Sequence, residues 1–246
     1  MVIQVPTVTG IVCVTAAKGG VGKTTLAYEL AACLDGVLID LDWDAGSASG
    51  LWGYDHERYK QAPLIDGFER GPQARAPRPK RRPHRPALLP AHPDLGACTV
   101  SDELVADCLL AWRKEWGSPW VVIDTHPGGN PLAEGAMSVA NLVVIPVVLG
   151  NLEIRALEGQ LKLLDPELPL LLVPHMVPPT APPTLVRRLQ DVTEGRAALG
   201  PLVSEHRWRR RRLRQAAVVL QPNPSRELMR AADEYRQVAQ AVKGRV

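Results

Sequence analysis

The sequence predicts an α/β fold, a doubly wound and mostly parallel sheet with helices on both faces. Three observations carry that expectation. An apolar run, Ile11-Val12-Cys13-Val14, leads into a glycine-rich turn and then a helical pattern from Leu26 to Ala32. Two further apolar runs, Val37-Leu38-Ile39 and Trp120-Val121-Val122-Ile123, each close on an aspartate. Strands buried on both faces read as continuous apolar runs, and open α/β sheets gather ligands at their carboxyl ends. Alternating strands and helices then require a sheet covered on both sides. The 246 residues suit one such domain, 1–246, with length for a substantial core.

The turn reads Lys18-Gly19-Gly20-Val21-Gly22-Lys23-Thr24-Thr25. Between a strand and a helix, this is the setting of a phosphate-binding loop. Glycines let the backbone close around an anion, and the helix N-terminus adds partial positive charge. Lys23 would reach the β- and γ-phosphates, and the Thr24 hydroxyl would face Mg²⁺. A glycine turn with two solvated lysines is the bland alternative, and the flanking strand and helix argue against it. The strict loop pattern fails at its first glycine, where Ala17 stands. The K-G-G-x-G-K-T-T string instead resembles the deviant Walker A loop of the ParA/MinD family of ATPases. That resemblance implies ATP and Mg²⁺ as cofactors, and a Lys18 that crosses a dimer interface to the partner's nucleotide.

At the end of the second strand stand Asp40 and Asp42, followed by Asp44. One aspartate there would serve equally well as a helix or turn cap. Two, alternating beside a phosphate loop, favour a magnesium and water site. By resemblance Asp42 orients the attacking water and Asp40 supports the metal shell. The family's Pro-Gln-Gly is replaced by Trp43-Asp44-Ala45-Gly46, and Ser47 to Gly50 are expected to form a tight switch-like loop. Asp124 closes the next strand in the Walker B manner and would hold the Mg²⁺ shell with Thr24. Thr125-His126-Pro127-Gly128 resembles the family's Asp-x-Pro-Pro switch, with Gly128 for the second proline. His126 is read as structural, because phosphoryl transfer of this kind depends on positioning and charge.

Downstream, Leu142 to Val148 is a strand interrupted by Pro146, and a helix opens near Ile154. Glu153 and Ala156 to Gly159 match the ParA pattern. Leu170 to Val173 is a further strand, followed by a loop, Pro174 to Pro178, that family position places near the adenine. Met176 and Pro178 are thereby candidate nucleotide contacts. The phosphate loop itself, Gly19, Gly20, Val21, Gly22, Lys23, Thr24 and Thr25, is the main one.

Ser101 is set to cap a helix through about Trp116 that faces inward with Leu104, Val105, Cys108, Leu109 and Trp112. A final helix opens at Asn223-Pro224-Ser225, with Leu228, Ala231, Ala232, Tyr235, Val238, Ala239 and Val242 at core-docking spacing. The face is mostly Ala and Val, too weak to anchor in lipid. The four cysteines show no C-x-x-C spacing, and Cys13 and Cys33, inside apolar patterns, read as buried thiols of a reducing compartment. No apolar stretch is long enough to span a membrane, and no secretory leader is evident. A cytoplasmic, nucleoid-associated protein is expected.

Net charge is only +3, but arginines cluster twice. The region of about 70–93 holds seven prolines with Arg75, Arg78, Lys80, Arg81, Arg82 and Arg85. It is expected to be extended or mobile. A solvated linker and a polyanion-contacting arm are both open readings. Leu88-Leu89 offers a short return strand. In the second cluster, a helix would place Arg207, Arg211 and Arg214 opposite Leu213, Ala216, Ala217 and Leu220, with Arg210 and Arg212 flanking. Such a stripe could be a solubilising face, but one sign of charge is the footprint of phosphate-backbone contact. Seventeen residues precede Lys18, so no helix-turn-helix fits ahead of the loop and operator-specific reading is not expected.

The resemblance thus implies a partition ATPase. Its ATP-bound homodimer binds double-stranded DNA without sequence preference, and hydrolysis, stimulated by a ParB-like adaptor, resets it. A MinD-like cell-division or cargo-positioning ATPase is the alternative. An iron–sulfur reductase on the same loop would need paired axial cysteines, for which Cys98 and Cys108 are poorly placed.

Overall fold

A computed structural model describes residues 9–206 and 216–246. Its chain runs β1 (Gly10–Val14), α1 (Lys23–Cys33), β2 (Val37–Leu41), α2 (Ala48–Trp52), α3 (His56–Tyr59), α4 (Pro63–Arg70) and β3 (Ala87–Leu89). It continues with α5 (Asp102–Trp116), β4 (Trp120–Thr125), α6 (Pro131–Ser138), β5 (Leu142–Val147), α7 (Asn151–Leu163) and β6 (Leu170–Val177). Then come α8 (Pro183–Thr193), β7 (Ala198–Leu199), β8 (Val203–Ser204) and α9 (Arg226–Lys243). The sheet order is β3-β2-β4-β1-β5-β6-β7, with β8 also on β6, and every pairing among the described strands is parallel.

Side chains alternate across this sheet and divide the core into two layers. Ile11, Cys13, Ile39, Val121 and Ile123 face α4 to α8, meeting Phe68, Val105, Leu109, Trp112, Ile154 and Leu189. Val12, Val14, Leu38, Val122 and Val144 face α1 and α9, meeting Leu26, Leu30, Tyr235, Val238 and Val242. The final helix therefore spends its apolar stripe inside the fold. Ser101 caps α5 by accepting from the Leu104 N–H at 3.2 Å, and Ser225 caps α9 from Leu228 at 3.4 Å. Leu104 and Leu228 themselves are half-buried, at the margin of their layers.

Four local expectations change. Residues 48–50 belong to α2 rather than to a loop, because Asp40 holds the Ser49 N–H at the start of that helix. β6 runs on to Val177, with a bulge between His175 and Val177 where β8 adds backbone partners, so Pro174 to Val177 are strand. The proline- and arginine-rich region is packed along much of its length. Ala87–Leu89 forms the edge strand beside β2, and the Trp116 indole donates to the Pro77 carbonyl at 3.0 Å. Val218–Leu220 is a 3-10 turn, so the helix expected through Ala216, Ala217 and Leu220 is absent there. Arg207, Arg210, Arg211, Arg212 and Arg214, with Leu213, lie outside the described residues.

Trp112 tests the first layer. It is 1 % exposed, its ring centroid lies 5.2 Å from that of Phe68, and Gly67 leaves it room. Trp112→Ala is expected to lower the unfolding free energy by about 3–5 kcal/mol, read as a reduced urea midpoint at unchanged slope.

Candidate active site

Strand register assembles the site. β1 and β2 flank β4, pairing Val14 with Asp124 and Asp40 with Asp124 across the sheet. Three strands thus end in one row, and the turn after β1 closes over it. Gly22 is the N-cap of α1 at φ 86°, with no side chain capping the helix. Its first N–H groups are left for a ligand, as an anion site at a helix N-terminus requires. A Cβ on Gly22 would strike the His175 ring. His175 is itself fully buried and donates from Nδ1 to the Val21 carbonyl at 2.8 Å, bracing the loop from β6.

Lys23 is the centre of charge. Its Nζ lies 2.8 Å from Asp124 Oδ1 and 3.1 Å from Asp42 Oδ2, and the three side chains are nearly dry. Burial opposes the charged amine, but Asp124 and Asp42 outweigh it and hold the Lys23 pKa above its usual value. Burial likewise raises the Asp124 carboxyl, with Lys23 pulling it back. Asp124 Oδ2 is buried without a hydrogen bond of ordinary length, and the Thr24 hydroxyl bears on the same carboxyl. An orphaned carboxylate oxygen beside a hydroxyl is a hard oxygen donor set, which fits Mg²⁺.

Asp40 is surrounded by protein donors. Its Oδ2 accepts from the Ser49 N–H and hydroxyl, each at 2.6 Å, and its Oδ1 accepts from the Asp42 N–H at 3.1 Å. Burial, then Asp124, pushes its pKa up to about 7. Ser49 Oγ also accepts from the Ala91 N–H at 2.9 Å, so Asp40 anchors α2 and the return from β3 together. Asp42 in turn accepts from the Asp44 N–H at 3.2 Å.

The two loops that end β2 and β4 are stacked on each other. The Trp43 and His126 rings lie 3.9 Å apart at 4°, and His126 Nε2 is 3.4 Å from Asp44 Oδ2. Gly96 closes the far side of Trp43, where a Cβ would come within 2.8 Å of the indole. Asp42, Asp44 and His126 offer ligand atoms within 4.8 Å of one another.

Lys18 is turned toward its own subunit, 2.5 Å from Glu153 Oε1 in the first turn of α7. The hydrogen bond from Lys18 holds the Glu153 pKa below its usual value. Gln160 of the same helix accepts from the Ala17 N–H at 3.1 Å. Met176, at φ 55°, and Pro178 are half-buried, and Pro178 lines a cleft with Leu202, His206 and Arg230. Sequence reading missed His175, Ser49 and Gln160. Ser49 and His175 lie in segments that were singled out, but their partners, Asp40 and Val21, are set by packing; Gln160 reaches Ala17 from α7 with no local motif to mark it.

The fold and this loop define a phosphate-loop nucleotide-binding α/β protein. Residues 9–166 match the family described as AAA domain, and the chain belongs to that family. It is 35% identical over 158 residues to the chromosome-partitioning ATPase Soj of Thermus thermophilus, covering 58% of this chain and 55% of that protein. The chain thus spans little more than half the length of this curated relative. Apo McdA of Cyanothece superposes with a TM-score of 0.72 at 18% identity, over 94% of this chain and 98% of that one. A putative plasmid partition protein of Borrelia burgdorferi, bound to AMPPNP, gives 0.70 at 18% identity, over 95% and 99%.

Two substitutions probe the assembly. Gly22→Ala forces a left-handed residue against His175, and is expected to abolish ATP binding in calorimetric titration. Ser49→Ala removes a buried hydroxyl shared by Asp40 and Ala91, and should cost about 1–3 kcal/mol of stability by urea titration.

Proposed function

We propose that this protein is an ATP-driven partition switch. The observation that carries the reading is the pairing of two lysines with two separate tasks on one loop. Lys23 is buried between Asp42 and Asp124, where it can serve the nucleotide of its own subunit. Lys18 is 43 % exposed and restrained by a single carboxylate, so it can be released toward a neighbour. In an ATP-bound homodimer, Lys18 contacts the partner's phosphates once Glu153 lets go.

The residues divide the work as follows. Backbone N–H groups from Gly19 to Thr25 cradle the phosphates, and Lys23 transfers its charge from the aspartates to the β- and γ-oxygens. Thr24 and Asp124 are the residues that would hold Mg²⁺, which supplies charge neutralisation on the phosphates. Asp42, freed of Lys23, orients the attacking water. Asp40 positions rather than ligates, by holding α2 and the Asp42 backbone. Adenine contacts at Met176 and Pro178 complete the nucleotide site.

The dimer binds double-stranded DNA without sequence preference through Arg207, Arg210, Arg211, Arg212 and Arg214, and hydrolysis, stimulated by a ParB-like adaptor, releases it at the nucleoid in the cytoplasm. The MinD-like reading is the second one; against it stands the apolar stripe of α9, which is buried against α1.

Sedimentation velocity tests the switch. Wild-type protein with ATP and Mg²⁺ is expected to move to a dimer, and EDTA should return it to the monomer. Lys18→Ala should bind ATP yet stay monomeric; an unchanged ATP-dependent dimer in that variant would sink the proposal.

A further inference from the structure

Two arginine-rich stretches that are far apart in sequence meet in space. The Ala217 N–H, just beyond the arginine run at 207–214, donates to the His84 carbonyl at 2.8 Å. His84, at φ 59°, sits between Arg82 and Arg85 at the crest of the proline-rich segment. The next residue, Val218, is fixed by its N–H to the buried carboxylate of Glu29 at 2.8 Å. Ala217, three residues past that run in sequence, is therefore pinned beside the first cluster. We infer that Arg78 to Arg85 form a second phosphate-contacting surface adjoining Ala217, and that its partner is the phosphodiester backbone of a nucleic acid duplex.

The segment is built to present charge. Arg78, Arg81 and Arg82 are exposed, and among the described residues neither they nor Arg85 has a carboxylate partner. Glu115 is bound to the Ala76 N–H and lies near Arg75, and Asp35 lines the adjoining cleft. Pro77, Pro79, Pro83 and Pro86 stiffen the backbone, and Lys80 exchanges both backbone hydrogen bonds with Leu88 at 2.6 and 2.9 Å. The guanidinium groups of Arg82 and Arg85 lie 4.7 and 5.5 Å from the Trp52 ring centroid. Arg82 also donates to the Tyr59 hydroxyl at 3.1 Å, and Arg85 to the Trp52 carbonyl. Cations stacked on an aromatic face lose little freedom on meeting phosphate. Between Arg78 to Arg81 and Gly117 to Pro119 lies an open polar cleft of ≈ 740 Å³. A solvated linker would need neither the stacking nor the pinned backbone, and its charges would mix in sign.

The surface lies at the amino ends of β2 and β4, across the sheet from the phosphate loop. Trp52 ends α2, whose start is held by Asp40 through Ser49. One short helix thus joins the site carboxylates to the stacked arginines.

The inference rests on the DNA-binding reading above, and one titration separates the two. Full-length wild type, Arg78→Ala/Arg81→Ala and Arg210→Ala/Arg211→Ala are titrated onto a labelled random-sequence duplex with ATP and Mg²⁺ over a salt series, after their urea midpoints are compared. Losing two phosphate contacts should make the slope of log affinity against log salt shallower by about 2. That change in the Arg78/Arg81 variant supports the inference. Wild-type binding with an unaltered slope in that variant overturns it, assigns the surface to some other partner, and leaves the partition reading standing. Absence of duplex binding by the wild type with ATP and Mg²⁺ at every salt concentration overturns both. A slope altered in the Arg78/Arg81 variant alone moves the DNA site from the later cluster to this one.

Discussion

Everything at the carboxyl edge of the sheet depends on one buried charge. The Lys23 ammonium is 5 % exposed and sits between two aspartates that are themselves buried. Removing such ions from water costs several kcal/mol each unless each finds partners. Here the partners come from three strands in fixed register, and moving any one strand by a residue would strand a charge in the core. The arrangement is less a source of stability than a constraint on geometry. It keeps the phosphate loop, the β2 carboxylates and the β4 carboxylate within one lysine's reach, and it leaves Asp124 Oδ2 unsatisfied for a cation.

Around that charge, the loops are joined by contacts that do not involve it. Trp43 stacks on His126, bridging the ends of β2 and β4, and Asp40 ties the same region to α2 through Ser49. A ligand that displaces Lys23 changes the partners of Asp42 and Asp124 together. The stack and the Asp40 anchor give those changes a route into neighbouring backbone. On the other side of the loop, Glu153 and Gln160 place Lys18 and Ala17 under the control of α7. The loop is therefore held on both flanks by groups that a nucleotide or a second subunit can replace.

The sheet also separates chemistry from the basic surface. Ligand groups gather at the carboxyl ends of the strands, as in other open α/β sheets. The arginines of the proline-rich segment gather at the opposite ends of β2 and β4. α9 completes the α1 layer with Ala, Val and Tyr235 at helical spacing, which leaves charged residues outward.

Much of this was legible in residue order alone, for a physical reason. The phosphate loop, the aspartate-ended strands and the capped helices are local features, set by φ preferences, apolar periodicity and caps within a few residues. Short elements were not legible. α2 exists because Asp40, nine residues before Ser49, accepts its N–H, and Ala48 to Gly50 alone carry only turn signals. The last turn of β6 was hidden because Pro174 and Pro178 read as loop, while β8 supplies the pairing. Asp40 looked like a ligand by position, and only its neighbours show that its oxygens are spent on protein N–H and O–H groups. His175 bracing Val21, Glu153 holding Lys18, and the meeting of Ala217 with His84 join residues more than a hundred positions apart. The sequence by itself determined the fold class and the chemistry of the phosphate loop, since both follow from short-range pattern. Tertiary structure alone decided which charges are paired, which carboxylate oxygen is left open and which basic stretches are neighbours, because pairing across the fold is set by sheet register and packing.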